Sequence, residues 1–314
     1  MKTGEQWFWT GAAAVLAVAG VLAGTVKYEY FFFAAYIVLT YVVLATAWNI
    51  LGGYAGYVNF GTPAFFGLGV YTAVVLFQAT GAPLVVQILV AALMSGLLGF
   101  GTGLLTLRLR GIFFSIATVA IIFIMETLFV NWRYTGGATG IQLLRPPPTA
   151  PFESYTKMLF MVMAVMCVAA VAIARYIETS WIGRGLRAIR DSEEAAECSG
   201  VPTLKLKVMA CTVSGALMGA AGAPMPMYIS YIEPFSTFNL NYAIGALASP
   251  MIGGTAHWLG PVIGAILLSS LQQVVTVTVS NEMNVMVVGV LLVVFVVAAP
   301  EGVLGLLRKL RPSK

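Results

Sequence analysis

The chain has 314 residues, of which 60% are apolar and only 9% are charged, and its mean hydropathy is +0.92. A soluble protein of this length needs more polar surface than such a composition supplies. The composition therefore excludes a water-soluble globular protein and indicates a polytopic membrane protein. The formal net charge of +5 does not indicate a nucleic-acid partner, because the basic residues lie at the ends of apolar segments, where membrane orientation accounts for them.

Ten segments are predicted to be membrane-spanning helices, because such a helix needs about 20 mainly apolar residues and tolerates about 17. In chain order they are residues 8–24, 31–51, 63–79, 84–106, 112–130, 158–177, 208–227, 238–252, 262–280 and 283–299. The eighth is short, carries Asn239 and Asn241 near its start, and contains Gly245 and Pro250, so it is predicted to be broken or re-entrant. We therefore expect an all-α polytopic membrane protein with about ten transmembrane helices in a single domain, residues 1–314.

The distribution of basic residues predicts the orientation, because Lys and Arg accumulate on the cytoplasmic side of a membrane. With ten spans and an inside N-terminus, the cytoplasmic side receives Lys2, Arg108, Arg110, Arg175, Arg184, Arg187, Arg190, Lys205, Lys207, Arg308, Lys309, Arg311 and Lys314. The outside receives Lys27, Arg133, Arg145 and Lys157. Both termini are therefore predicted to be cytoplasmic.

Residues 181–207, called the charged island below, hold nine of the 29 charged residues (17 basic and 12 acidic). Asp191 and Glu194 have the spacing of a capping box, which predicts a helix start, and Gly200 followed by Pro202 predicts its end after about two turns. Small residues give this helix a face that can enter a groove on another protein, while charged neighbours fix its orientation. A solvated loop helix without a partner is the alternative. The small residues are Ala195, Ala196 and Ser199, and the charged ones are Arg187, Arg190 and Glu194.

A second segment, residues 52–69, is too rich in glycine for an ordinary packed helix, and it also contains Pro63. Non-helical backbone inside a membrane is tolerated where protein or water satisfies its polar groups, so the segment is predicted to line a solute pathway. Close helix packing through small residues is the alternative. Glu126 lies within a predicted span and is a candidate lining residue or helix-to-helix hydrogen bonder. The predicted pathway residues are Asn59, Phe60, Gly61, Thr62, Phe65, Phe66 and Glu126.

The longest exterior loop, residues 131–156, is predicted to be either a connector or a landing surface for an external partner. His257 has no second ligand or nucleophile near it in sequence, and the cysteines Cys167, Cys198 and Cys211 lack metal-ligand spacing. The sequence therefore predicts no catalytic or metal site, and the chain is not expected to be an enzyme.

The order Glu194, Ala195, Ala196, three further residues and Gly200 resembles the EAA motif of ABC importer permeases. The surrounding sequence GRGLRAIRDSEEAAECSGVP is similar to permeases of branched-chain amino acid importers, specifically their M-type subunit. Further segments of the chain agree with this family in the same order. They are residues 49–73, 109–126, 135–141, 252–268 and 300–307.

The resemblance implies an ABC importer permease fold in the bacterial inner membrane, with a coupling helix that seats in a cleft of an ATPase subunit. It implies as partners two ATPase subunits that bind ATP and Mg, a second permease chain in a heterodimer, and a periplasmic solute-binding protein. The chain has no Gly-x-x-x-x-Gly-Lys-Ser/Thr phosphate-binding loop, so no cofactor is expected in it. The residues expected to couple to the ATPase are Arg187, Arg190, Asp191, Glu194, Ala195, Ala196 and Gly200.

The chain departs from the family's sequence in the predicted pathway. It reads GYVNFGTPAF there, whereas relatives carry a stretch close to GQLSLGHAAF. Tyr57, Asn59 and Thr62 thus replace Gln, Ser and His. Branched-chain amino acids are the solute implied by resemblance, while urea, short amides and other small acids stay open. The alternative function is an ion-coupled secondary transporter, which usually carries ionisable residues along its membrane interior, whereas only Glu126 lies deep in a predicted span here.

Overall fold

The computed structural model describes residues 2–106, 111–143, 154–278, 283–298 and 302–310. Several residues used in the orientation prediction lie outside this part of the chain: Arg108, Arg110, Arg145, Arg311 and Lys314. The same holds for residues 144–153 of the predicted exterior loop. Within the described residues the chain forms fifteen α-helices and one antiparallel ribbon of two short strands.

The helices follow one another in the order α1 (Lys2–Thr25), α2 (Glu29–Ala55), α3 (Thr62–Thr80), α4 (Leu84–Thr106), α5 (Ile112–Asn131), α6 (Tyr155–Thr179), α7 (Trp181–Asp191), α8 (Glu193–Cys198), α9 (Thr203–Gly222), α10 (Met225–Ile229), α11 (Pro234–Thr237), α12 (Asn241–Gly253), α13 (Leu259–Thr278), α14 (Met283–Ala298) and α15 (Gly302–Leu310). Strands β1 (Ile141–Gln142) and β2 (Tyr231–Ile232) pair antiparallel, with Ile141 opposite Ile232.

The prediction of an all-α polytopic membrane protein is confirmed. Within the described residues eight helical segments are long and apolar enough to cross a membrane: α1 to α6, α13, and the stretch Thr203–Ile229 that joins α9 to α10. The remaining two predicted spans correspond to shorter helices. The eighth is α12, with 13 residues and Pro250 inside it, and the tenth is α14, with 16 residues.

Helix α12 is too short to cross a bilayer by itself, because 13 residues reach about 20 Å while the hydrocarbon core is about 30 Å thick. The chain nevertheless crosses the bundle in this region. Strand β2 pairs with β1 beyond the end of α5, whereas the amide of Trp258 donates to Glu178 at the opposite end of the bundle. The crossing between residues 232 and 258 is therefore made by the single turn α11, the short helix α12 and non-helical chain around them, as predicted for a broken segment.

Helix α2 forms the centre of the bundle and packs against α6, α9, α12 and α13. Most of its residues from Thr40 onward are buried, including Leu44, Ile50 and Leu51. Helix α1 lies at the periphery, where Ala19 and Ala23 pack beside Phe32 and Phe160. The face of α1 turned away from this cluster exposes large apolar side chains, as expected for a helix in lipid.

Small residues set the closest helix contacts, as is common in membrane bundles. A Cβ atom on Gly69 of α3 would lie 2.0 Å from the carbonyl oxygen of Gly219 on α9. A Cβ on Gly264 of α13 would lie 1.8 Å from the carbonyl oxygen of Ser249 on α12. These two backbone approaches leave no room for a side chain, so the α3/α9 and α12/α13 pairs depend on glycine.

Candidate functional site

The charged island folds as two short helices, α7 and α8, that lie across one end of the bundle, followed by the start of α9. The hydroxyl of Ser180 accepts a hydrogen bond from the amide of Ile182 at 3.2 Å and caps the start of α7. Gly183, Leu186 and Ile189 recur at a spacing of three residues and are buried against the bundle, while Arg184 and Arg187 on the other face are exposed. Helix α7 is thus an amphipathic helix that fixes the position of α8.

The predicted capping box at Asp191 and Glu194 is wrong. Asp191 is the last residue of α7, and Ser192 is the N-cap of α8, with its hydroxyl accepting from the amide of Ala195 at 3.4 Å. Ser192 takes this role because its backbone is extended, with φ −165° and ψ 110°, so it separates the two helices. The third helical position is then Ala195 rather than Glu194, and no acidic side chain stands there to complete a capping box.

The predicted end of the coupling helix is confirmed. Gly200 has a φ of +81°, the left-handed conformation that glycine adopts without a side-chain penalty. Its amide donates to the carbonyl of Glu197 at 2.9 Å, and the amide of Val201 donates to that of Ala196 at 3.0 Å. These two bonds form a Schellman motif, which satisfies the last carbonyls of α8 and turns the chain into α9.

Six of the seven predicted coupling residues are exposed on this end of the bundle, and the seventh, Ala196, is buried at 4% exposure. Ala196 therefore packs inside the chain, and Ala195 next to it presents the small face outward. Arg190 is also engaged with the bundle, because its guanidinium donates to the carbonyl of Gly53 at 2.8 Å. Arg187 donates to the carbonyl of Glu178 at 3.3 Å. The exposed residues are Arg187, Arg190, Asp191, Glu194, Ala195 and Gly200.

A buried ion pair joins α8 to the bundle. The ammonium of Lys207, at the start of α9, lies 2.5 Å from the carboxylate of Glu193 on α8, and the lysine is 2% exposed. The hydroxyl of Tyr57 donates to the same carboxylate and accepts from the ammonium at 3.1 Å. A charge in such a position is costly unless it is paired and hydrogen-bonded, and both conditions are met here. Sequence reasoning missed this cluster, because its members are far apart in the chain.

A second polar cluster lies beside the first. The carboxylate of Glu178, at the end of α6, accepts from the hydroxyl of Tyr54 at 3.2 Å and from the amide of Trp258 at 2.7 Å. These bonds connect the last turns of α2 and α6 with the loop that precedes α13. The ends of three helices are thereby held together next to the charged island.

The glycine-rich segment breaks the helix over residues 56–61, between α2 and α3. Side chains from other parts of the chain satisfy the backbone of this break. Trp48 donates its indole N–H to the carbonyl of Asn59 at 2.7 Å, and the Ser115 hydroxyl donates to the carbonyl of Val58 at 2.9 Å. The amide of Phe60 donates to Thr118 at 3.1 Å. The break is therefore stabilised by hydrogen bonds at the end of the bundle, and it lies directly against α7 and α8.

The predicted pathway residues of this segment lie mostly inside the protein: Asn59, Gly61, Thr62, Phe65 and Phe66 are buried, and Phe60 is half-buried. Asn59 uses its side-chain oxygen to accept from the amide of Gly61 at 2.7 Å. Glu126 lies apart from them on α5, is half-buried, and makes no hydrogen bond or ion pair with the described residues. The pathway role of these residues stays a prediction.

At the other end of the bundle, α2, α10, α12 and α13 surround a cavity of about 720 Å³. Its lining includes Tyr36 and Tyr41 of α2, Tyr242 of α12, and Gln272 and Gln273 of α13. Phe66 does not line the cavity but packs against the lining residue Tyr242, with their ring centroids 4.7 Å apart. The other predicted pathway residues do not line the cavity.

Residues 131–143 of the predicted exterior loop contact the chain beside this end of the cavity. Leu143 donates its amide to the carbonyl of Ser230 at 2.8 Å, next to the β1/β2 pair, and the hydroxyl of Tyr231 donates to the carbonyl of Thr139 at 2.7 Å. The loop is therefore attached to the chain that follows α10 and forms a cap beside the cavity, which a simple connector would not require.

Comparison with known proteins decides the family. The sequence matches the model of the family described as branched-chain amino acid transport system / permease component over residues 30–296. The chain belongs to this family. The matched range contains the charged island, the helix break and the residues that line the cavity, while α1 precedes it and α15 follows it.

Three relatives match the chain over different shares of its length. The high-affinity branched-chain amino acid transport system permease protein LivM of Escherichia coli (strain K12) is 26% identical over 98% of this chain and 77% of its own length. The corresponding permease protein LivH of the same organism is 24% identical over 48% of this chain and 49% of its own length. The ribose import permease protein RbsC of Haemophilus influenzae is 32% identical over 32% of this chain and 33% of its own length. No solved structure matches the permease.

The resemblance to M-type permeases is thus confirmed, and the relatives are transport permeases rather than enzymes. The similarity to LivH and RbsC is confined to about half of the chain or less. The similarity to LivM extends over nearly all of it.

Proposed function

We propose that the chain is the transmembrane permease subunit of an ATP-driven importer for branched-chain amino acids, coupled to separate ATPase subunits through α8. The family match and the similarity to LivM support the transport class and the solute. The similarity to LivH supports a second, different permease chain as the partner in a heterodimer. Two ATPase subunits, which bind ATP and Mg, and a periplasmic solute-binding protein complete the assembly.

The coupling role rests on one structural observation. Helix α8 presents Glu194 and Ala195 to the outside, while Glu193 on the same helix is tied to Lys207 and Tyr57 inside. A partner that moves α8 therefore pulls on α9 through Lys207 and on the helix break through Tyr57. Interactions of this kind transmit a displacement because a buried ion pair is expensive to separate.

The proposed orientation places the charged island and both termini in the cytoplasm and the β1/β2 ribbon on the periplasmic side of the inner membrane. The excess of basic residues on one side of the predicted topology supports this orientation. The ribbon and the cap around it then face the solute-binding protein, and the landing role of the exterior loop follows from that position.

The ion-coupled alternative receives less support. Lys207 is the one buried Lys, Arg, Asp or Glu among the described residues, and it lies at the end of the bundle, paired with Glu193. A transporter driven by an ion gradient usually carries ionisable groups along its membrane interior. The described part of this chain offers Glu126 alone in such a place, and that residue is only half-buried.

The experiment replaces Ala195 with Arg in the complete transporter reconstituted in lipid vesicles. ATP hydrolysis stimulated by the loaded binding protein should fall by about tenfold or more, because a new charge in a packed interface without a partner costs about 2 kcal/mol or more. Ala195 is the sharper target, since it is exposed whereas Ala196→Arg would also disturb packing inside the chain. The Gly200→Val variant should also lose stimulated ATP hydrolysis, because valine would be strained in the left-handed backbone conformation of Gly200.

Gln6→Arg is the matched control. Gln6 is exposed on α1, so the substitution adds the same charge and bulk away from α8 and should leave stimulated hydrolysis unchanged. Normal stimulation in Ala195→Arg would remove α8 as the docking element, while the family membership would stand.

A further inference from the structure

The described residues that line the cavity, at the end of the bundle opposite the charged island, are uncharged. Tyrosine rings form much of its wall, and side-chain amides and hydroxyls from α13 and from the start of α12 supply the polar groups. No Asp, Glu, Lys, Arg or His stands among these described lining residues. A solute with a net charge would therefore enter without a compensating partner, which is expensive at membrane depth.

One face of α13 is polar at helical spacing. Ser269, Gln272, Gln273 and Thr276 occupy positions i, i+3, i+4 and i+7 of a helix that is otherwise apolar enough to span a membrane. The amides of Gln272 and Gln273 line the cavity and form no hydrogen bond with the described residues. Ser269, one turn deeper, is buried at 1% exposure, and its hydroxyl is also unpartnered. Polar groups in a membrane helix are costly unless they meet a partner or a polar ligand.

Tyr36 of α2 supplies an independent observation. Its side chain is 1% exposed, it lines the cavity, and its hydroxyl makes no hydrogen bond of ordinary geometry with the described residues. The ring is held in place by stacking on Tyr228 at a centroid distance of 4.2 Å. An unpaired buried hydroxyl is destabilising, so a site that retains one offers a hydrogen bond to a ligand.

A glycine shapes one part of the cavity wall. A Cβ atom on Gly245 of α12 would lie 2.5 Å from the ring of Tyr41. Because Gly245 has no side chain, the Tyr41 ring can lie against α12 at the cavity wall.

We propose that this cavity is the site where the solute first binds within the permease, and that it takes small amphipathic solutes without net charge. The carboxylate of a zwitterion would accept from the amides of Gln272 and Gln273 and from the Tyr36 hydroxyl. Its ammonium would lie against tyrosine faces, and its apolar side chain would fill the rest of the aromatic wall. The volume lies in the range of small-molecule sites, and anionic acids and cations are disfavoured because none of the described lining residues carries a charge that would neutralise them.

This inference rests on the proposed function, and the test uses the same complete transporter in vesicles with L-leucine as the probe. Tyr36→Phe removes one hydroxyl that makes no hydrogen bond with the described residues, so a structural role alone would leave transport unchanged. We expect the rate of leucine uptake at saturating loaded binding protein to fall about three- to tenfold. Gln272→Met, which keeps the length of the side chain, should lower uptake by a similar factor.

Tyr71→Phe is the matched control. The Tyr71 hydroxyl is likewise buried and makes no hydrogen bond of ordinary geometry with the described residues. Its ring stacks on Phe129 at 4.1 Å, but Tyr71 does not line the cavity. This variant should transport at the rate of the unmodified protein. Equal rates in Tyr36→Phe, Gln272→Met and Tyr71→Phe would overturn the cavity assignment and leave the proposed function intact.

A direct measurement of occupancy separates binding from folding. Gln273→Cys should react with a membrane-impermeant maleimide added on the periplasmic side, and leucine-loaded binding protein should slow the reaction relative to solute-free binding protein. Equal labelling rates in the two conditions would contradict the inference. If the unmodified complex shows no ATP-driven leucine uptake, the proposed function fails and this inference fails with it.

Discussion

Replacing Lys207 with Met tests whether the buried ion pair holds α8 to the bundle. Methionine has nearly the same length, so the change removes the charge without leaving a large cavity. The Glu193 carboxylate then loses its ammonium partner while its side chain remains 15% exposed. Removing one partner of a buried ion pair costs about 3–5 kcal/mol, because it leaves a buried charge uncompensated.

Two features of the structure reduce the expected loss of stability in Lys207→Met. Tyr57 still donates its hydroxyl to Glu193 in the variant, and a hydrogen bond to a charged group is worth about 1.5–3 kcal/mol. The partial exposure of Glu193 also admits some water. We therefore expect Lys207→Met to lower the free energy of unfolding by about 2–3 kcal/mol.

The assay is titration of the purified chain in detergent micelles with sodium dodecyl sulfate, followed by tryptophan fluorescence. The double variant Lys207→Met/Glu193→Met is the control, because replacing a whole buried pair with apolar side chains is often close to neutral. The double-mutant cycle should give a coupling free energy of about 2 kcal/mol between the two positions. A single variant that loses less than about 0.5 kcal/mol would refute the ion pair as a structural tether.

Two further predictions concern packing and the charge on α5. Gly69→Ala should lower the free energy of unfolding by about 1–3 kcal/mol in the same titration, because the new Cβ would lie 2.0 Å from the carbonyl oxygen of Gly219. Gly101→Ala on α4 is the control. Its new Cβ would meet no atom within 4 Å, so this variant should be neutral or slightly stabilising. Glu126→Gln should keep full leucine uptake in vesicles, because the carboxylate makes no hydrogen bond or ion pair with the described residues, and a loss of uptake would demonstrate a charge-dependent role.

Local patterns predicted several elements correctly, for reasons that lie within a few residues of each. Long apolar runs predicted the spanning helices, and Pro250 with its neighbouring glycine and asparagines predicted the short eighth segment. Gly200 predicted the left-handed end of α8, because glycine is the common residue at a left-handed helix end and Pro202 prevents the helix from continuing. The polar spacing from Ser269 to Thr276 on α13 is also a local pattern, and it could have indicated the cavity face before the structure did.

The start of α8 could not be predicted from local sequence patterns alone. Asp191 and Ser192 are both good capping residues, and only the packing of α7 decides that the helix break falls after Asp191. The same packing turns Ala196 inward and Ala195 outward, although the two are equivalent small residues in the sequence. A difference of one position thus changes which side chain meets a partner.

The sequence by itself determined that the chain is a helical membrane permease, because hydropathy, glycine placement and the EAA-like motif are properties of neighbouring residues. Only the tertiary structure decided that Lys207 pairs with Glu193 and Tyr57, and that Tyr36 and Gln272 line the same cavity. Tyr57 and Lys207 are separated by 150 residues. The physical reason is that charge pairing and cavity walls depend on which helices pack side by side, and many arrangements of ten apolar segments satisfy the same hydropathy.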